Sequence, residues 1–313
     1  MNRTIAAFLL IVGLPLTACG PAESIRTADA AERPPPTLEG VWQRAEIVHE
    51  TGPQAGRHTI DVQPSLYVFG KTHYAITAVD GFAPRANLSE EPSVEEEGRA
   101  YAPFTGNSGT YTNADDKLTL APLTAKNPLN MIGDTTFDYD VSWVGEDLWL
   151  TRTTPENGVV KTRFSRLAED QTKVTPESQR LLGVWRRAEM VVGSGHDAGT
   201  HVADMQPGYY IFTPTHFAAN YVSSFAPRPL LSDAPTDTER GGIFGAFTSF
   251  GGTYTVDNKN VLVLSPIVTK NPSNMRGRPF QSIQIEWAGN DVWFIYTGAD
   301  GTQNRTRLTP VAD

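Results

Sequence analysis

Residues 126–131 read KNPLNM and residues 270–275 read KNPSNM, and these residue types could do chemistry. A lysine and two amides in one loop are groups that hold an anion through charge-assisted hydrogen bonds. The same set also has a plain structural use, with asparagine satisfying loop backbone and proline fixing a turn. A second candidate is acid–base. Glu46 and Glu189 lie at even spacing beyond Trp42 and Trp185, so on a strand each shares the tryptophan's face. If that face is inward, burial raises the carboxyl pKa unless a cation such as His73 or Arg163 offsets it. Glu46 with His73, and Glu189 with His216, would then be pairs able to move protons on a bound ligand. The alternative is an internal polar network that fixes the base of the fold. His58-x-x-Asp61 could open a metal site, but three histidines per half and a lone cysteine do not complete a ligand set, and no metal is expected. No phosphate loop, dinucleotide fingerprint, Gly-x-Ser-x-Gly or zinc-protease helix occurs, so no cofactor is implied.

What positions these residues is a duplication. GVWQRAE at 40–46 recurs as GVWRRAE at 183–189, and FAPR at 82–85 recurs at 225–228. GTYT at 109–112 recurs at 252–255, and His58 and His73 match His201 and His216, all at an offset of 143. One inserted residue then makes the offset 144 for the KNP loops and for Arg163/Arg307. A period this long suits a whole domain rather than a solenoid repeat. The expected domains are 38–168 and 181–313, with 169–180 as the linker.

Each repeat is punctuated as antiparallel β structure, with short aromatic and β-branched runs between Gly, Pro, Asn and Asp clusters. The first repeat reads as eight strands near 41–49, 66–70, 72–79, 109–113, 117–124, 136–144, 147–154 and 159–167. Tight turns at 70–71, 113–117 and 144–147 alternate with long connections at 50–65, 80–108 and 125–135. In an up-and-down order the short turns close one end and the long loops crowd the other. Ser93 with Glu96, and Thr236 with Glu239, are capping-box pairs that place one short helix in the second long connection of each repeat.

Eight such strands can close into a barrel that holds one small ligand. Gly40-Val41-Trp42 and Gly183-Val184-Trp185 resemble the Gly-x-Trp of the lipocalin first strand, and the chain is similar to bacterial lipocalin-like domains. The resemblance implies an all-β fold of two tandem eight-stranded up-and-down lipocalin-like barrels. It also implies that Arg163 and Arg307, on the last strands, lie across Trp42 and Trp185 as a cation–π plug at the barrel base.

The long loops then form a rim. His58, Arg85, Lys126, Asn127 and Asn130 are expected around the first mouth, and His201, Arg228, Lys270, Asn271 and Asn274 around the second. Tyr67, Phe69 and Tyr111, with Tyr210, Phe212 and Tyr254, are expected in the cups below. An apolar cup with a few convergent polar groups suits a small amphipathic molecule, and the excess of rim cations favours an anionic one.

The first residues are addressing rather than fold. Arg3 precedes an apolar run from Ile5 to Leu16 that is short for a bilayer span. Leu16-Thr17-Ala18-Cys19 resembles the lipobox of bacterial lipoproteins, which are cut before the cysteine and acylated on it. Cys19 is the only cysteine, so no internal disulfide uses it. The resemblance implies a signal peptide over 1–18, a bilayer anchor at Cys19 and a tether over 19–37. Gly20 in the next position implies the outer membrane, facing the periplasm. Loss of Arg3 with the signal moves the formal charge from −9 to −10, which disfavours nucleic acid as a partner. Three readings follow: an envelope binding protein, a barrel enzyme of isomerase, dehydratase or hydrolase type, or a scaffold with filled barrels.

Overall fold

In a computed structural model, residues 36–312 are described, apart from 61, 194, 196, 276–280 and 299. The expected signal peptide over 1–18, Cys19, the tether as far as residue 35 and Asp61 lie outside the described residues. The first repeat runs β1 (Gly40–His49), the two-residue β2 (His58–Thr59), β3 (Ser65–Phe69) and β4 (His73–Val79). Helix α1 (Val94–Tyr101) follows, then β5 (Phe104–Ala114), β6 (Lys117–Ala125), β7 (Phe137–Val144), β8 (Asp147–Thr154) and β9 (Gly158–Arg166). A four-residue helix α2 (Pro176–Gln179) leads into the second repeat. There the order is β10 (Gly183–Val191), β11 (His201–Val202), β12 (Gly208–Phe212), β13 (His216–Val222) and α3 (Asp237–Gly242). It ends with β14 (Phe247–Val256), β15 (Val261–Thr269), β16 (Gln281–Ala288), β17 (Asp291–Thr297) and β18 (Gln303–Pro310).

All these pairings are antiparallel, and β1 pairs with β9 as β10 does with β18, so each repeat closes on itself. Two closed eight-stranded barrels in tandem, each with a minor extra strand, fit the lipocalin-like fold. The expected strands match closely except β5, which starts at Phe104 rather than near 109. Its glycine-rich opening looks like loop punctuation, yet it pairs with β4 from Val79↔Phe104 to His73↔Thr110. The turn between β5 and β6 places Asp115 and Asp116 at φ 51° and 56°, left-handed values typical of a tight hairpin. Ser93 and Thr236 cap α1 and α3 as expected, although the Glu96 carboxylate accepts from Ser89 rather than closing the full box.

Among the described residues, three apolar clusters hold the fold together. One fills the lower first barrel around Trp42, Phe69 and Tyr74, and one fills the second around Trp185, Tyr210 and Phe212. The third lies between the barrels and includes Val68, Ala75, Phe104, Ile211, Ala218 and Phe247. Strand β4 is therefore buried on both faces along its whole length. Its Tyr74, Ile76 and Ala78 face the first barrel's interior, while Ala75 and Val79 face the second barrel. The two barrels form one compact unit over 36–313.

Candidate ligand-binding site

The barrel base is built as expected in its tryptophans and differently in its arginines. Trp42 and Trp185 are buried, and their ring N–H groups donate to the Leu38 and Leu181 carbonyls at 2.8 and 2.7 Å. The cation over Trp42 is Arg166, at 4.2 Å from the ring centroid, not Arg163. The β1–β9 register explains the exchange, because Trp42 lies opposite Arg166 and Glu46 opposite Arg163. In the second barrel Arg307 lies opposite Glu189, and Arg180 covers Trp287, which packs on Trp185.

A β-bulge corrects the acid–base reading. The register shifts between Arg44 and Glu46, so one extra residue reverses the alternation beyond it. Arg44 points in with Trp42, but Ile47 lines the cup and Glu46 faces the barrel's outside. There Glu46 accepts from Arg163 Nε at 2.8 Å and meets His58 Nε2 at 2.6 Å. The Arg163 hydrogen bond holds the Glu46 carboxyl below its usual range, against the opposing effect of burial. Glu189, His201 and Arg307 repeat the arrangement across the same bulge. In Glu189 burial pushes the carboxyl up, and the Arg307 and His201 hydrogen bonds outweigh it. Neither glutamate meets its expected histidine. His73 bonds Thr72 at 2.8 Å and lies against Tyr209 of the other barrel. His216 lies 3.6 Å from Glu169, a linker residue. His58 and His201 thus belong to these outer ion clusters rather than to the mouths.

The rim cations are also placed differently. Lys126 Nζ donates to the carbonyls of Tyr101, Ala102 and Phe104 at 2.6, 3.0 and 2.6 Å, which closes the C-terminal end of α1. Lys270 does the same for the Phe244 and Phe247 carbonyls at 2.5 Å each. The arginines cross between repeats. Arg85 donates to the Thr269 and Lys270 carbonyls at 2.6 Å each and meets Met275 Sδ at 3.2 Å. Arg228 donates reciprocally to the Ala125 and Lys126 carbonyls at 2.6 and 2.8 Å and meets Met131 Sδ at 3.1 Å. Asn127 and Asn271 cap one-turn helices by accepting from Leu129 N and Ser273 N. Asn130 and Asn274 border small clefts beside those loops. The Arg–Lys pairs therefore do not bracket a mouth; FAPR and KNPxNM are the two halves of a clasp between the barrels.

The cup itself survives in the first barrel. A cavity of about 400 Å³ is bordered by Ile47, Tyr67, Leu150 and Phe164, with Arg44, Asp80 and Arg152 among its polar groups. Arg44 pairs with Asp80 at 2.7 Å and donates to the Val79 carbonyl at 2.7 Å. Its Nε is buried without a partner. Arg152 lies over Phe137 and Tyr139, 4.9 and 5.9 Å from their centroids. Burial pushes the Tyr67 and Tyr139 phenols up, so both remain neutral donors at physiological pH. Of the expected cup aromatics, Tyr67 lines the cavity. Phe69 and Tyr111 pack the base, where the Tyr111 hydroxyl donates to the Gly70 carbonyl at 2.6 Å. Arg44, Asp80 and Arg152 were not singled out from sequence. Arg44 carried a usable signal, because it stands two residues past Trp42 and recurs as Arg187.

The second barrel is filled further by aromatic side chains. Phe250 stands where the first repeat has Asn107, Tyr221 where it has Ala78, and Tyr296 where it has Arg152. Tyr210, Phe212 and Tyr254 are buried in that aromatic core.

No protein-family model matches the sequence, and no curated protein matches it. Among solved structures, an uncharacterized protein from Bacteroides eggerthii is similar at 15% identity, covering 42% of this chain and 100% of that chain, with a TM-score of 0.24.

Proposed function

We propose that this is a lipid-anchored protein of the bacterial cell envelope whose first barrel binds a small amphipathic molecule carrying an anionic group. The observation that supports it is the cup of about 400 Å³, within the ~300–1,000 Å³ usual for small-ligand pockets. Asp80 already balances Arg44. Arg152 has no carboxylate within ion-pair distance among the described residues, so the cup carries one cation in excess. An apolar chain would lie against Ile47, Leu150 and Phe164, with its head group at Arg152. The proton-transfer reading loses its pairs, because Glu46 and Glu189 are engaged outside the barrels.

Calorimetric titration with decanoate and decanamide tests this reading. The acid should bind roughly tenfold more tightly, a difference of about 1.4 kcal/mol, and Arg152→Ala should erase the preference. Leu150→Trp should fill the cup and weaken both ligands. Equal affinity for acid and amide in the native protein would refute an anion site, and indifference to Leu150→Trp would place the ligand elsewhere.

The anchor rests on the lipobox-like Leu16-Thr17-Ala18-Cys19 and the short apolar run before it. Several acyl chains on one residue give stable attachment where one chain does not. A Cys19→Ser protein should move from the membrane fraction to the soluble periplasm. Retention in salt-washed membranes would rule the anchor out.

A further inference from the structure

We infer that the second barrel holds a separate anion site, built on Arg187 and fitted to small organic carboxylates. Arg187 is the counterpart of Arg44 and keeps the same backbone partner, donating to the Val222 carbonyl at 2.9 Å where Arg44 donates to Val79. What changes is the acid. Asp80 of the first repeat is replaced by Ser223, whose hydroxyl bonds Thr248 at 2.7 Å. Arg187 is 6% exposed, and among the described residues no carboxylate lies within ion-pair distance of it. Its other contacts are the Tyr221 ring at 4.4 Å and Met190 Sδ at 3.6 Å. A buried guanidinium without a counter-charge is costly, and an anion brought to it recovers that cost.

There is room for one. A cavity of about 320 Å³ is bordered by Arg187, Tyr221, Ser223, Tyr296 and Thr306, with no acidic side chain on its wall. Gly208 stands where the first repeat has Ser65; a Cβ there would come within 2.4 Å of Tyr221 Cβ and 2.8 Å of Arg187 Cδ, so the glycine lets both side chains lie close over β12. Below, Tyr210 packs on Phe294 at 5.7 Å and Phe217 on Phe250 at 5.5 Å, so a long chain has nowhere to go. A short carboxylate with a flat apolar body would then lie beside the Tyr221 and Tyr296 rings that border the cavity. This site is independent of the first cup and stands or falls without it.

Benzoate is the probe, with benzamide as its neutral control, titrated into Arg152→Ala protein so that the first barrel's free cation is removed. Benzoate should bind once per chain and at least about tenfold more tightly than benzamide. Adding Ser223→Asp rebuilds the internal ion pair of the first repeat, and should abolish benzoate binding while raising the thermal midpoint. Arg187→Gln should abolish the acid-over-amide preference and serves as the second variant should Ser223→Asp fail to fold. Absence of benzoate binding in Arg152→Ala protein, its persistence after Ser223→Asp, or an acid-over-amide preference retained after Arg187→Gln overturns the site.

Discussion

Lys126 and Lys270 set the terms at the scale of single residues. Each ammonium group sits among backbone carbonyls that would otherwise be orphaned where a helix ends. Removing such a donor leaves buried acceptors without partners, at about 1–3 kcal/mol for each group. Lys126→Met and Lys270→Met should therefore each lower stability in urea unfolding by roughly 2–4 kcal/mol. Unchanged stability would show that the carbonyls find water instead. Burial pulls both ammonium groups down to about 8 from the ordinary 10.5. They remain charged at pH 7, and the sign of the pH effect follows from the lowered value. Between those two pH values the unfolded chain binds more protons than the folded one, so these lysines make stability rise with pH across that window. Their contribution is lost as pH falls through 8. The difference between native and double-Met protein should widen accordingly from pH 8 to 10.5, measured by unfolding at each pH.

Among the elements, α1 and α3 cross closely because each offers a glycine. A Cβ on Gly98 would lie 1.8 Å from the Asp237 carbonyl oxygen, and one on Gly241 equally close to that of Val94. Backbone stands against backbone there, so no side chain can yield. Gly98→Val should separate the helices and destabilise the folded chain by several kcal/mol, on the order of the larger overpacking costs. Gly242→Val, one position along α3 with open space around it, is the control and should cost far less. A small effect at Gly98 would mean that the helices can slide apart cheaply. The bulge after Arg44 matters at the same scale. It leaves Arg44 in the cup and turns Glu46 out of it, where strict alternation along β1 would have placed both inside.

Across the whole molecule, the shared cluster between the barrels joins their stabilities. Val68 and Ala75 of one barrel pack with Ile211, Ala218 and Phe247 of the other, and Asn220 donates to the Asn107 carbonyl at 3.1 Å. Trp185→Ala, which removes a large buried aromatic, should cost about 3–5 kcal/mol. The loss should appear as one earlier transition for both barrels rather than a second-barrel transition ahead of the first. Tryptophan fluorescence and a first-barrel tyrosine label at Tyr139 would separate the outcomes. Two resolved transitions would mean that the interface contributes little to cooperativity.

The repeat offsets, strand punctuation and turn positions were enough to determine two eight-stranded barrels, the place of their helices and the buried tryptophans. Those features depend on local backbone chemistry and on alternation along a strand, both written in the order of residues. The pairing of motifs across the repeats was not. KNPxNM and FAPR recur together within each repeat, which makes them look like one rim, whereas Arg85 reaches the second KNP loop and Arg228 the first. Side-chain reach across an interface carries no periodic signal, and repetition reads the same whether a motif serves its own barrel or its neighbour. The cup was hidden for a related reason. One bulge decided which face Glu46 took, and only closure of the barrel brought Arg44, Asp80 and Arg152 together from β1, the end of β4 and β8.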